Sequence, residues 1–313
     1  MATVARAHPN IALIKYWGKA EQAGNVPATP SLSITLDTLE TVTSVETAAR
    51  DQLLLNGERV EDEKVLRWLE ALRAELDVPH LQIETRNNFP TAAGLASSAS
   101  GFAALMTAID AHCGLGLDAA ARSDYARRGS GSAARSAYGG FVTLQAPDWR
   151  AAPLLAAGQW PLRVLIAVTT RARKNRSSSD GMRLSAATSP FFPAWVSSTA
   201  ADFEHARGLV ERRDFAGLAE LSEHSCLKMH GLMLSTRPGL VYWNPTTVAL
   251  ILRVRELRAE GVPVFFTVDA GPQVKAVCLP DAEAHVAAAL RDTPGVLDVL
   301  HTGLGQGAEV ISR

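Results

Sequence analysis

An α+β fold is what this chain predicts. Strand and helix patterns are mixed, without the regular alternation that would mark a doubly wound parallel sheet. Helical patterns dominate from about residue 182 to Glu260, while strand signals recur on both sides of that stretch. The 313 residues are 47% hydrophobic and 20% charged, enough apolar content for one large core or for two lobes with cores of their own.

Taken in order, Asn10–Ile14 is a short apolar run suited to a strand. β-Branched residues mark Ser31–Leu36 and Thr41–Thr47 as strands, with a turn at Asp37–Thr38 between them. Leu53–Leu55 ends at Asn56-Gly57, a strong hairpin signal. Val65, Leu66, Leu69, Leu72 and Leu76 recur at helical spacing, with Pro79 just beyond. Leu81, Ile83 and Thr85 alternate as a strand. Residues 88–101, NFPTAAGLASSASG, then lead into a helix whose apolar face is Phe102, Leu105, Met106 and Ile109. Asp118–Arg128 reads as helical, and Phe141–Leu144 as a strand. Pro147–Pro161, richer in Pro, Gly and Ala, marks a lobe boundary, giving lobes 1–160 and 161–313. Val164–Val168 and Val264–Val268 are buried strands. Lys275–Leu279, an Asp281–Leu290 helix and a strand near Glu309–Ile311 close the pattern.

The net charge of -1 argues against a nucleic-acid or acidic-membrane surface, which calls for a basic excess. Cys113, Cys226 and Cys278 are far apart and form no CxxC pair, as suits a reducing compartment. The first residues hold only a short apolar stretch, broken by Lys15, which is not a secretory leader, and no run approaches the ~18 apolar residues of a membrane span. A cytoplasmic protein is expected.

Several segments carry chemistry. The 88–101 stretch joins a turn of small residues to a helix start bearing Ser97 and Ser98. Free N–H groups there can receive a phosphate, and the hydroxyls can add bonds or ligate Mg²⁺. No Lys follows the glycine, so this is not a GxxxxGK[ST] loop. A Ser-capped helix after a tight turn reads equally well. Lys15-Tyr16-Trp17-Gly18-Lys19 places two ammonium groups and a phenol at a strand end, suited to a substrate with carboxylate and phosphate, or else is a solvated strand end with a packed Trp. Ser130-Gly131-Ser132-Ala133-Ala134-Arg135 brings backbone close to a ligand and offers an arginine fork for a carboxylate; a Ser-capped helix start is the alternative. Asp269-Ala270-Gly271-Pro272 ends a very apolar strand, as a carboxylate placed for chemistry or as an Asx turn. Arg171, Arg173, Lys174 and Arg176 with Ser177–Ser179 form an exposed charged loop or the phosphate-facing edge of a cleft. His224, Cys226 and His230 match no zinc spacing and read as part of a helix.

Taken together and in chain order, these segments resemble the mevalonate diphosphate decarboxylases of the GHMP-kinase superfamily. NIALIKYWGK at 10–19, SLSITL at 31–36, the 88–101 loop, SGSAARSAYGG at 130–140, SSSDGM at 177–182 and TVDAGP at 267–272 carry the likeness. It implies two lobes meeting at a deep cleft and ATP-dependent decarboxylation of mevalonate 5-diphosphate to isopentenyl diphosphate, with ADP, phosphate and CO₂ released. The sister activities, phosphomevalonate decarboxylation and 3-phosphorylation of mevalonate alone, stay open, as does a silent nucleotide-binding protein.

The resemblance places ATP over Pro90, Ala93, Gly94, Leu95, Ser97, Ser98 and Ser100, with Ser98 also holding Mg²⁺. It makes Asp269 the carboxylate that orients or deprotonates the 3-hydroxyl, Lys15 the lysine beside it, and Arg135 the grip on the substrate carboxylate. Tyr16, Lys19, Ser130, Ser132 and Ser178 line the substrate pocket, and a homodimer is implied. The chain departs from the family pattern at Ala134, Gln273 and Thr29-Pro30. The last pair lies near the expected substrate region and leaves the mono- or diphosphate choice open.

Overall fold

The computed structural model describes residues 1–20, 24–89, 97–172 and 176–312. It begins with β1 (Thr3–Ala7), in which buried and half-buried residues alternate. β2 (Asn10–Ile14) and β3 (Ser31–Thr35) are buried at every position, and β4 (Thr41–Thr47) alternates again. β5 (Gln52–Leu55) turns through Asn56 and Gly57, both at positive φ, into β6 (Glu58–Val60). Asp62 caps α1 (Glu63–Arg73) by accepting the Lys64 and Val65 N–H groups. β7 (Leu81–Asn87), α2 (Ser97–Cys113), α3 (Ala119–Gly129) and the short α4 (Ala133–Ser136) follow. Then come β8 (Phe141–Leu144), β9 (Ala151–Leu155) and β10 (Arg163–Val168). Four helices succeed them: α5 (Ser178–Thr188), α6 (Phe192–Arg212), α7 (Phe215–Leu234) and α8 (Pro245–Ala259). The chain continues as β11 (Val264–Val268), β12 (Val274–Cys278), α9 (Glu283–Arg291), β13 (Asp298–Gly303) and β14 (Glu309–Ser312).

Among the described residues these strands form three sheets, ordered β14-β1-β4-β7-β5-β6, β2-β3-β8-β9 and β11-β12-β10-β13. All pairings are antiparallel except β5 with β7. The last strand returns to the sheet of the first, with Val4 opposite Ser312 and Ala5 opposite Val310. α7 packs on both β2 and β11, and so spans two sheets at the point where their strand ends meet.

Three large apolar clusters hold this arrangement. Trp68, Leu69, Ile83, Phe102 and Met106 close the first sheet under α1 and α2. Leu13, Leu32, Phe141, Phe203 and Phe265 join the second sheet, α6 and the third sheet in one cluster. Phe266, Leu250, Val254, Val286 and Leu290 pack the far face of the third sheet against α8 and α9. Burial of each such side chain stabilises by about 1.5–3 kcal/mol. The adjacent Phe265 and Phe266 thus anchor opposite faces of β11, and the strand end at Asp269 is fixed from both sides.

Some expectations need correcting. α2 does not present one apolar face: every residue from Phe102 to Asp110 is buried, because sheet, α3 and α4 surround the helix. The Pro147–Pro161 stretch contains β9, whose Pro153 is tolerated because β9 is an edge strand. β1, β6 and β13 had no matching expectation.

Candidate active site

A cavity of about 330 Å³ opens where the ends of β2 and β11 meet the starts of α2, α4 and α5. β2 runs out into Lys15, Tyr16 and Trp17, all buried. The Lys15 N–H donates to Ser225 Oγ on α7 at 2.9 Å, which pins the strand exit. β11 ends one residue before Asp269. The Asp269 carboxylate takes a bond from Lys15 Nζ on Oδ1 at 2.6 Å and an ion pair from Lys275 Nζ on Oδ2 at 3.1 Å. The two lysine side chains are 1% and 2% exposed, and Asp269 keeps 27% toward the cavity. Burial acts to raise the Asp269 carboxyl. The charges and hydrogen bonds of Lys15 and Lys275 override it and hold the group well below the usual carboxylate range.

The α3–α4 junction supplies the next wall. Ser130 and Ser132 line the cavity with Gly131, where an added Cβ would lie 2.3 Å from the Tyr16 hydroxyl. Only glycine lets backbone and phenol approach so closely. Asn10 ties β2 to this segment by donating from Nδ2 to Ser132 O at 2.9 Å and to Ser136 Oγ at 2.8 Å. Arg135 is 2% exposed; it donates to Ser31 Oγ at 2.6 Å and sits 5.8 Å from the Tyr16 ring centre. Burial pulls its guanidinium down to about 10 and pushes the Tyr16 phenol up to about 12. The Tyr16 hydroxyl and Arg135 Nε are buried without a partner among the described residues. Unsatisfied donors of this kind are costly and fit a ligand that completes them.

Adjoining this wall, Ser98 Oγ at the start of α2 lies 3.3 Å from Ser130 Oγ, next to Ser97. Ser177, Ser178 and Ser179 line the cavity at the start of α5, with Ser177 as its cap. Lys19 donates to Asn25 Oδ1 at 2.7 Å and to Ser179 Oγ at 3.2 Å, and Asn25 in turn donates to Arg128 O at 2.6 Å. The hydroxyl oxygens of Ser97, Ser98 and Ser130 are hard donors of the type Mg²⁺ accepts beside phosphate oxygens and water. Among the described residues no group of three His, Cys, Asp or Glu could hold a metal alone. His224 is exposed on α7, while Cys226 and His230 pack against the Val268 backbone.

Of the residues singled out in the sequence, Lys15, Tyr16, Lys19, Ser97, Ser98, Ser130, Ser132, Arg135, Ser178 and Asp269 all line this one cavity. Ser100 does not. It is fully buried and shares a 2.6 Å bond with Thr41 Oγ1, so it anchors α2 to β4. Pro90, Ala93, Gly94 and Leu95 lie outside the described residues, as do Arg173 and Lys174. Arg171 and Arg176 are exposed and do not line the cavity. Neither Thr29 nor Pro30 reaches it. Gln273 instead braces the β10 exit, accepting from Thr169 N at 2.6 Å and donating to Thr170 O at 2.7 Å. Lys275, Lys64, Asn10, Met182 and Met229 escaped the sequence reading. Lys275 and Met229 look like ordinary strand and helix residues, and Lys64 like a solvated helix charge.

A buried carboxylate between two ammonium groups, a buried guanidinium and a rim of hydroxyls at two helix starts define an enzyme of small, multiply anionic molecules. Residues 7–151 match the family model for the diphosphomevalonate decarboxylase-like N-terminal domain, and residues 164–306 match that for the mevalonate 5-diphosphate decarboxylase C-terminal domain. The diphosphomevalonate decarboxylase of Candida albicans is 34% identical, over 97% of this chain and 96% of its own. The mevalonate diphosphate decarboxylase of Enterococcus faecalis superposes with a TM-score of 0.90 at 36% identity, covering 100% of this chain and 99% of its own. A solved complex described as MDDEF with MVAPP, AMPPCP and magnesium superposes with a TM-score of 0.92 at 36% identity, with the same coverage. The chain belongs to the diphosphomevalonate decarboxylase family.

Proposed function

We propose that this protein catalyses the ATP-dependent decarboxylation of mevalonate 5-diphosphate: ATP + mevalonate 5-diphosphate → ADP + phosphate + CO₂ + isopentenyl diphosphate. The observation that carries the reading is the meeting, in one cavity, of the Asp269 carboxylate clamped by Lys15 and of buried Arg135. The relatives' names and the complex with MVAPP, AMPPCP and magnesium support it.

The chemistry needs these residue types. Hydroxide is a poor leaving group, so the tertiary 3-hydroxyl first takes the γ-phosphoryl group. Asp269, held ionised, accepts a hydrogen bond from that hydroxyl and orients its oxygen for attack on the γ-phosphorus; the bond from that phosphorus to ADP breaks with its electron pair leaving on ADP, and the hydroxyl proton departs by way of the carboxylate to water. The C3–O bond then breaks with its electron pair leaving on phosphate. The C1–C2 pair becomes the C2=C3 double bond as CO₂ departs. Positive charge developing at C3 is met by the Asp269 charge. Arg135 holds the substrate carboxylate so that the breaking C–C bond lines up with the emptying orbital. Tyr16, Lys19, Ser130, Ser132 and Ser178 receive the diphosphate side of the substrate. Ser97 and Ser98 at the start of α2 face the triphosphate. Ser98 would hold Mg²⁺ together with the phosphates, and the ion when bound would supply charge neutralisation for phosphoryl transfer.

Residues 1–160 and 161–313 form the two lobes, and the protein works as a cytoplasmic homodimer, which sedimentation equilibrium tests. The activity is tested by supplying Mg-ATP with mevalonate, its 5-phosphate or its 5-diphosphate, and measuring ADP and CO₂. Equal ADP and CO₂ with the diphosphate alone is the expected result. ADP without CO₂ makes the protein a kinase, turnover of the monophosphate moves the substrate assignment, and no turnover with any of the three overturns the reading.

A further inference from the structure

We infer that Lys275 is a positioning residue for this reaction: from behind the cavity it fixes the orientation and charge of the Asp269 carboxylate without touching substrate. The inference rests on the reading of Asp269 as the group that meets the substrate hydroxyl.

The geometry comes from sheet register. β12 runs antiparallel to β11, with Lys275 opposite Thr267 and Val274 opposite Val268. Residues two apart share a face of a strand, so Thr267, Lys275 and Asp269 project to the same side. Lys275 Nζ therefore reaches Asp269 Oδ2 at 3.1 Å, while Lys15 Nζ takes Oδ1 at 2.6 Å from β2. Each carboxylate oxygen has its own ammonium group. One contact would leave the carboxylate free to rotate about the Cβ–Cγ bond; two set its plane.

Lys275 approaches from the sealed side. Among the described residues it does not line the main cavity, whereas Lys15 does. It borders a small void behind Asp269, walled by Leu36, Leu39 and Ile166. Substrate entering the main cavity meets the carboxylate face turned away from Lys275. An ammonium group only 2% exposed in such surroundings is costly unless paired, and Asp269 is its ion-pair partner. The titratable and charged groups bearing on Asp269 are Lys15 from β2, Lys275 from β12, Arg135 from α4, and Cys226 and His230 from α7. Burial holds His230 neutral, down to about 3, so the two lysines are the close cations.

The sign of the effect is fixed. Two ammonium groups keep the Asp269 carboxyl below its ordinary range against the pull of burial. With Lys275 neutralised, burial is opposed by Lys15 at Oδ1 and the more distant Arg135, and the carboxyl takes up its proton at higher pH. Turnover that needs the carboxylate is then lost from the acid side first.

The test is the pH dependence of kcat in Lys275→Met, Lys275→Gln and Lys275→Arg, with ADP and CO₂ as readouts and a melting curve for each variant. The Met and Gln variants are expected to move the acid limb upward by one pH unit or more. Their loss relative to the parent should deepen toward the acid end of the profile, reaching about tenfold for each pH unit the limb moves, and vanish by pH 8, with KM for both substrates within threefold of the parent. Lys275→Arg keeps the charge and should keep the acid limb. An unmoved acid limb in the folded Met and Gln variants overturns the inference. So does failure of both to fold, which would make Lys275 a support of the sheet. Asp269→Asn in the same series separates the two claims: normal turnover there overturns the role of Asp269 itself, whereas an inactive Asp269→Asn with an unmoved Lys275→Met limb overturns only the role of Lys275.

Discussion

Replacing Arg135 by methionine is predicted to act in two opposite directions. Among the described residues no carboxylate lies within ion-pair distance of this guanidinium, which is 2% exposed and bonded to Ser31 Oγ. Burial pulls it down to about 10, whereas an arginine ordinarily titrates above 12. At about 1.36 kcal/mol per pH unit, the folded state gives up roughly 3 kcal/mol to keep the charge at neutral pH. Because the folded value is the depressed one for a base, the cost is present below about 10 and fades above it. A methionine of similar length removes that cost and leaves some packing defect, so the free protein should gain about 1–3 kcal/mol. That gain raises Tm by roughly 1.5–4.5 °C in a chain of this length. Catalysis goes the other way. The substrate carboxylate loses a buried charged partner worth about 2–5 kcal/mol, which is about 30-fold to several-thousand-fold in kcat/KM. Differential scanning calorimetry at pH 7, ADP and CO₂ rates, and ATP titration calorimetry read the three quantities. A Tm lowered by several degrees with kcat/KM kept would refute the assignment, as would a selective loss of ATP affinity.

Three further variants test other parts of the site. Asp269→Asn should bind ATP and substrate yet lose about 10³-fold in kcat, the scale of a lost electrostatic or acid–base group; near-normal turnover in the folded variant counts against the chemical account. Gly131→Ala places a Cβ 2.3 Å from the Tyr16 hydroxyl and must displace the ring. A stability loss of about 1–3 kcal/mol and a raised KM for substrate are expected, measured by urea unfolding and initial rates. Ser100→Ala removes a buried bond to Thr41, and urea unfolding should show a loss of about 1–2 kcal/mol while ATP affinity stays within threefold. A large change in ATP affinity would put Ser100 back in the nucleotide site.

How far the sequence could be read depends on which interactions are local. Asn56-Gly57, the Asp118 cap and the alternation of Thr41–Thr47 are decided within a few residues, and the elements stand where they were expected. The ends of α1, α3, α9 and β12 fall within a few residues of expectation because caps and turns set them locally. β13 and β1 were illegible because Asp298–Gly303 and Thr3–Ala7 mix charge, hydroxyl and small residues; it is their neighbours β10 and β4 that make them strands. In the site, Lys15, Arg135 and Asp269 were found through motifs. Their meeting is a product of three-dimensional pairing across as many as 254 residues of chain. Lys275 gave no sign, since one lysine in VKAVC reads as the outward side of a half-exposed strand, yet β12 is buried at every position. The full burial of Arg135 was equally hidden, because burial comes from Ser31 and Tyr16, distant in sequence.

The return of β14 to the side of β1 has a consequence for how the chain is made. β1 is flanked by β4, which leaves the ribosome early, and by β14, which spans residues 309–312. At about 5–20 residues per second, roughly 13–53 s separate the emergence of these partners. Through that interval one side of β1 offers unpaired N–H and C=O groups to any passing strand. The nascent protein therefore spends most of its synthesis with a sticky margin, and a chaperone that shields strand edges should raise its yield more than one that accelerates collapse.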